Sequence, residues 1–338
     1  MKKALLNALK VVVPLGIGVW LVFSTYNDLS DAQKGELFAA FRQADARWLI
    51  LATIVGWLAH VSRGWRWRYL LSPLGHRPGF WNCYHAVMIG YFINMFIQRA
   101  GEASRAVSIY RTEKVPFEQG FGTVLAERVV DTAMLAVIAV VTVLFQVDKI
   151  DLFKSRIADY RSSQEVAEAG GFPWFTVVLV IIALTVIIGT YLIFTRPALR
   201  ARAMDLLRGF GAGLRAVINT KQKGAFIAHT LFIWAAYIGM FKVGFYCLPT
   251  LEVVPFAGIL AGFIAGAVGI VLVQGGIGVY PALVALTVGM YMPSSLGGEL
   301  VRPDALAMGW LLWLAQTLMV IVLGGVSLLL TSFKKSVV

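Results

Sequence analysis

The chain has 338 residues, is 59% hydrophobic and 14% charged, and carries a formal net charge of +12; its mean hydropathy is +0.76. A soluble domain is about 45–50% apolar and about 25% charged, so this chain has more apolar surface than a soluble core can hide. Its apolar residues come in runs of about 20, the length that crosses a bilayer, and backbone groups in lipid must be satisfied within the segment, so the runs are expected to be helices; a β-barrel, with alternating segments of roughly 10 residues, is excluded by pattern.

In chain order, apolar segments are predicted over 4–25, 48–71, 80–97, 119–147, 172–195, 225–247, 253–273, 277–292 and 304–331. The first follows Lys2 and Lys3 and lacks a small-x-small cleavage site, so it reads as a transmembrane helix rather than a removed signal. Basic loops stay on the cytoplasmic side. Lys2, Lys3 and Lys10 place the N-terminus inside. The loop 26–47 mixes Lys34, Arg42 and Arg47 with Asp28, Asp31, Glu36 and Asp45 and reads as external. Segment 63–77 has Arg63, Arg66, Arg68 and Arg77 with no acid and reads as cytoplasmic. Loop 148–171 holds Asp148, Asp151, Asp159, Glu165 and Glu168 and reads as external. Loop 196–223 opposes seven bases to Asp205 and reads as cytoplasmic, as do Lys334 and Lys335 in the tail.

This assignment closes only if 80–97 does not cross, because the segments flanking it, 63–77 and 99–118, are both basic. A re-entrant element entering and leaving on the cytoplasmic side resolves it; irregular backbone at membrane depth is tolerated where protein or water surrounds it. The pair 253–292 is interrupted by Gln274-Gly275-Gly276-Ile277-Gly278 and begins and ends outside, as two spans or as a second re-entrant hairpin. The expected fold is an all-α polytopic membrane protein. It has about eight transmembrane helices plus at least one re-entrant element, in a single transmembrane domain over 1–338. Two interrupted elements approaching from opposite faces point to an inverted repeat with a substrate site between the halves. Within 196–223, Leu199, Ala203, Leu206, Leu207, Phe210, Leu214, Val217 and Ile218 recur at helical spacing among arginines. That pattern predicts an amphipathic helix on an anionic cytoplasmic leaflet, the alternative being a solvated basic linker.

In a soluble protein the positive charge could mean nucleic acid. Here it sits between apolar runs, so lipid headgroups and topology account for it and no nucleic acid is expected. Cys83 and Cys247 have no metal-ligand spacing. No metal cluster, phosphate loop or nucleophile–base pair is present in the sequence, so neither a catalytic residue nor a cofactor is expected.

Three polar constellations interrupt the apolar pattern. Asn94-Met-Phe-Ile-Gln-Arg-Ala-Gly-Glu-Ala-Ser-Arg105 sets Asn94, Gln98, Arg99, Glu102 and Arg105 beside an apolar segment, with Gly101 as a backbone break. Charged groups at membrane depth are costly and mark sites, and arginine suits bidentate phosphate recognition; alternatively Arg99 and Arg105 lie among the headgroups, one of them paired with Glu102. Glu127-Arg128-Val-Val-Asp131 puts two carboxylates at i,i+4 on one helix face, with Arg128 placed to pair with Asp131. The carboxylates balance Arg99 or Arg105, carry a proton, or order the bundle as an ion network. Val273-Gln-Gly-Gly-Ile-Gly-Val-Tyr-Pro281 lets the backbone open toward a ligand at Gly275, Gly276 and Gly278, with Gln274 and Tyr280 as polar contacts and Pro281 following; a tight turn between ordinary spans is the alternative. His60, His85 and His229 read as packing residues, and the Gly324-Gly325 pair with Ser327 as a close helix contact.

At these motifs the sequence resembles the transmembrane region of lysylphosphatidylglycerol synthase, a flippase-like family. That family pairs an Arg-x-Gly-Glu-x-x-Arg turn with a Glu-Arg-x-x-Asp helix and a late Gly-Gly-x-Gly-x-x-Pro. Here those are Arg99, Gly101, Glu102 and Arg105; Glu127, Arg128 and Asp131; and Gly275, Gly276, Gly278 and Pro281. Gln98 departs from the usual Pro or Gly. The resemblance implies lipid handling in a bacterial cytoplasmic (inner) membrane. Its namesakes add a soluble aminoacyl-transfer domain; the chain ends at Val338 without room for one, so aminoacyl transfer is not expected to carry over. The leading expectation is a transporter moving a polar-headed, anionic lipid between leaflets. The runners-up are a membrane enzyme using Glu127 or Asp131 as a base and an accessory subunit partnering a lipid-modifying enzyme.

Overall fold

The computed structural model describes residues 16–97, 99–149, 155, 195, 220, 222–292 and 301–333. Among them regular structure is entirely helical. Helix α1 runs over 16–27. It is followed by α2 (Asp31–Gln43), α3 (Ala46–Leu71), α4 (Phe80–Phe96), α5 (Ala100–Glu113) and α6 (Phe117–Leu144). After these come α7 (Lys223–Phe245), α8 (Phe256–Leu272), α9 (Val279–Gly289) and α10 (Pro303–Phe333). Seven of the expected segments thus appear as α3, α4, α6, α7, α8, α9 and α10. The expected span at 172–195 and the amphipathic stretch at 196–223 lie, but for 195, 220, 222 and 223, outside the described residues, as do residues 4–15 of the first span.

Local signals explain the corners. Ser30 caps α2: its hydroxyl accepts from the Gln33 amide at 3.3 Å, and the Gln33 side chain accepts from the Ser30 amide at 2.7 Å, a reciprocal box. Asp45 caps α3 by accepting from the Arg47 amide at 2.9 Å, and the Arg47 guanidinium holds the Asp45 carboxyl below the usual carboxylate range. The two helices meet at a 72° bend. α7 and the Pro303–Ser332 stretch of α10 are each long and apolar enough to cross a bilayer, and Asp31–Gln43 with Ala46–Leu74 qualify as a bent pair.

The two interrupted elements are helical hairpins. α4 and α5 have 17 and 14 residues, about 25 and 21 Å at 1.5 Å per residue, each shorter than a hydrocarbon core of about 30 Å. The basic segment 99–118, read from sequence as a loop, is therefore largely the return arm. It folds as a helix packed within the bundle, where Arg105 and Glu102 find partners. α8 and α9 form the second hairpin. Gly262, Gly266 and Gly269 lie along one face of α8, and a methyl group at Gly269 would sit 3.0 Å from the Tyr280 backbone, so small residues set this close approach.

α10 is the shared spine. Near its start Gly309 abuts Pro281 and the Trp313 indole donates to the Gly275 carbonyl at 2.6 Å. Further along, Gly324 abuts Met88 and Phe92, and Ser327 bonds His85 at 3.0 Å. Trp313 and Gly324 are 11 residues apart, about 16 Å along the helix. The hairpins therefore meet α10 at different levels. Two cores follow. One gathers Leu37, Phe241, Leu251, Val284, Val288, Met308 and Leu312 around α9 and the start of α10; the other gathers Trp67, Leu71, Cys83, Val87, Ile109, Val124 and Phe226 around the first hairpin.

A candidate anion site in a buried arginine–carboxylate network

α3, α5 and α6 bring five charged side chains together. Arg63 and Arg66 lie one turn apart on α3, Glu127 and Asp131 one turn apart on α6, and Arg105 comes from the return arm of the first hairpin. Arg66 Nη2 donates to Glu127 Oε1 at 2.8 Å and to Asp131 Oδ1 at 2.7 Å. Arg63 Nη1 reaches Glu127 Oε1 at 3.3 Å and bonds Asp131 Oδ2 as well. Arg105 Nη2 donates to Glu127 Oε2 at 2.7 Å. Arg66 and Glu127 are fully buried, and Arg63, Arg105 and Asp131 nearly so.

Neighbouring groups fix the arginines. Thr230 accepts from Arg66 Nη1 at 3.2 Å, and the Tyr237 hydroxyl lies 3.5 Å from Arg63 Nη2. The guanidinium of Arg105 sits 4.4 Å over the Trp67 ring, that of Arg66 5.5 Å over Phe226 and that of Arg63 6.0 Å over Tyr91. Such contacts suit a planar, weakly hydrated cation. The stem of Arg105 passes where a methyl at Gly90 would lie, 2.6 Å from its Cγ. Glycine at 90 is thus what admits the arginine.

Three guanidinium groups face two carboxylates, an excess of one positive charge in a low-dielectric interior. Isolated buried charge costs several kcal/mol. The Nε groups of Arg63, Arg66 and Arg105 are buried and have no hydrogen-bond partner among the described residues, although buried donors are normally paired.

A second, smaller group closes the hairpin tip. Asn94 on α4 accepts from the Gly101 amide at 2.7 Å and donates to Glu102 at 3.3 Å, and Glu102 pairs with Arg128 Nη2 at 2.9 Å. A side chain on α4 thus satisfies the start of α5, where a methyl at Gly101 would strike the Gly90 carbonyl and Asn94. Arg99 is exposed, at φ 65° in the left-handed region, and Gln98 lies outside the described residues.

Of the residues singled out from sequence, Arg105, Glu127 and Asp131 share the network, and Asn94, Glu102 and Arg128 share the tip. Two expectations are corrected. Arg128 pairs with Glu102 rather than Asp131, because Arg63 and Arg66 already occupy both Asp131 oxygens. Arg63 and Arg66, read as cytoplasmic loop charges, belong to the buried face of α3. Their signal was present: two arginines at i,i+3 inside a predicted span have no acid nearby, while two carboxylates in another span have too few bases. Each set lacked what the other supplies.

The glycine break lies elsewhere. Gly275, Gly276 and Gly278 have φ of 69°, 72° and 72°, a conformation glycine adopts at little cost. Gln274 opens a single 3-10 turn, Gln274–Gly276. The absence of a side chain at Gly278 admits the Gly18 backbone of α1, Tyr280 is buried against Gly266 and Gly269, and Pro281 lies on Gly309. Among the described residues, the contacts of the break run to α1, α8 and α10.

Fold and site together define an all-helical membrane protein that buries an arginine–carboxylate network behind a short helical hairpin. The chain belongs to the family described as the lysylphosphatidylglycerol synthase transmembrane region, whose profile matches residues 11–315. The family is membrane-embedded and lipid-related. The chain is similar to the UPF0104 membrane protein MJ1595 of Methanocaldococcus jannaschii, 37% identical over 90 residues, 26% of this chain and 27% of the relative. The matched stretch thus spans about a quarter of that relative's length. No solved structure matches the chain.

Proposed function

We propose that the protein moves an anionic lipid between leaflets, and that Arg63, Arg66 and Arg105 take the headgroup. The carrying observation is the charge imbalance among the described residues: three buried guanidinium groups, two carboxylates, and three Nε donors without partners. Such a set has capacity left for an acceptor-rich oxyanion. In this reading Glu127 and Asp131 are internal counter-anions. They hold the arginines while the site is empty and give way when a headgroup arrives. Asn94, Arg99, Glu102 and Arg128 form the entrance at the hairpin tip, and Gln98, next to Arg99 in sequence, belongs to the same motif. Gln274, Gly275, Gly276, Gly278, Tyr280 and Pro281 form the bend of the second hairpin, about which the halves rock.

Further support comes from the two hairpins meeting α10 at separate levels, as expected of halves that entered from opposite faces. The setting is a bacterial cytoplasmic membrane with both termini inside, where an anionic inner leaflet supplies the lipid. Purified protein in vesicles tests the reading through the rate at which a fluorescent anionic lipid changes leaflets. Arg105→Gln is expected to slow it at least tenfold while leaving the protein folded. A rate unaltered by Arg105→Gln would contradict the reading.

A further inference from the structure

Above the arginines the polar face continues. On α3, Gly56, His60, Arg63 and Trp67 fall on one stripe, and on α7 Thr230, Trp234 and Tyr237 do the same, at the i, i+4, i+7 spacing of a single helix face. Thr230 and Tyr237 already touch Arg66 and Arg63. One turn beyond, the His60 ring lies 4.6 Å from Tyr91 and 6.1 Å from Tyr237, and Trp234 lies 6.0 Å from Tyr237. One turn further, a methyl at Gly56 would meet the Gln316 amide of α10 at 2.9 Å and Met240 at 2.6 Å. From Arg66 to Gly56 this seam is about 15 Å long.

The seam carries most of the unpaired buried polar atoms among the described residues: the Nε groups of Arg63 and Arg66, His60 Nδ1, Trp234 Nε1 and Gln316 Nε2. Trp234 and His60 are 9% and 6% exposed. All but His60 Nδ1 are obligate donors, and the histidine nitrogen serves either way by tautomer. The inventory is one-sided. It runs from a charged level at the arginines to an uncharged upper stretch at His60 and Trp234 and, one turn further, Gln316, where no carboxylate stands among the described residues.

We propose that the upper stretch is a specificity subsite for an uncharged, oxygen-rich extension of the headgroup, so that the preferred lipid is a phosphodiester bearing hydroxyls rather than an amine. The proposal rests on the arginines taking the phosphate. The seam then holds a head whose phosphate lies at Arg63, Arg66 and Arg105 and whose hydroxyl oxygens accept from Trp234 and Gln316. An ammonium group there would find unpaired donors and a neighbouring positive excess, with no acid among the described residues to neutralise it. α3 and α7 are packed along the seam in this conformation, so the headgroup enters when they part.

The full-length protein in detergent, titrated with phosphatidylinositol, phosphatidic acid or phosphatidylethanolamine and read by native mass spectrometry, tests this. Phosphatidylinositol is expected to bind about tenfold more tightly than phosphatidic acid, the worth of two modest hydrogen bonds, with phosphatidylethanolamine weakest. In the double variant Trp234→Phe/Gln316→Met the phosphatidylinositol affinity is expected to fall to that for phosphatidic acid, whose own affinity stays unchanged. If the double variant does not fold, each single variant is expected to lose about threefold for phosphatidylinositol alone. Equal binding of phosphatidylinositol and phosphatidic acid to the unaltered protein would overturn the subsite, as would variants that weaken both lipids alike. Phosphatidic acid binding indifferent to Arg105→Gln would instead overturn the arginine reading beneath it.

Discussion

The two hairpins pack on the same helix and are made of opposite materials. The first is held by direction: Asn94 spans its tip, Glu102 is tied to Arg128, and Arg105 reaches across to Glu127. The second is held by fit: Gly262, Gly266 and Gly269 let α9 lie against α8, and Tyr280 fills the groove. Close packing drives helix association in lipid, where no hydrophobic gradient exists between helices. A second hairpin built that way needs no charge. The first has charges that packing alone does not require, and in a low-dielectric interior they are retained at a cost unless matched. The difference separates an element held by close packing from one held by directed polar contacts.

Substitutions can break or sharpen that contrast. The largest effect is expected for Glu127→Gln, which leaves three buried arginines with one carboxylate. The loss of a buried partner costs about 3–5 kcal/mol, read as a fall in thermal unfolding temperature in detergent. Next comes Gly101→Ala, whose methyl group meets the Gly90 carbonyl and Asn94; overpacking of backbone against backbone costs about 1–3 kcal/mol. Trp313→Phe removes the indole donor to Gly275 and should cost about 1 kcal/mol, with the loss confined to the second hairpin in hydrogen exchange. Gly122→Ala is the control of opposite sign. Gly122 is exposed within α6 and a methyl there meets nothing, so helix propensity should stabilise by about 0.5–1 kcal/mol. If Glu127→Gln costs no more than Trp313→Phe, the first hairpin is held by fit after all and the contrast fails.

Much of the fold was legible because run length and flanking charge are direct consequences of the bilayer. The basic segments on both sides of 80–97 set it apart from the ordinary spans, and it folds as the first arm of a helical hairpin. The same rule then misled. It counts arginines near helix ends as loop charges, and Arg63 and Arg66 stand inside α3, where burial depends on partners far away in sequence. Glu127 is 61 residues from Arg66, and no local pattern reports that pairing. The return arm α5 was missed for the same reason: a helix carrying Glu102, Arg105 and Arg111 looks solvated until its partners are known. The left-handed glycines at 275, 276 and 278 were readable as a break, since only a missing side chain makes that backbone inexpensive. Which helices would close around the break, α1 and α10, was not.

The claim that Glu127 and Asp131 stand in for a headgroup implies opposite signs at the two kinds of residue. The affinity of the detergent-solubilised protein for short-chain phosphatidic acid, compared between Asp131→Asn and Arg105→Gln, measures this most directly. If the carboxylates compete with the lipid phosphate, Asp131→Asn binds more tightly than the unaltered protein and Arg105→Gln more weakly. Loss of affinity in both variants alike, or in neither, would contradict the account.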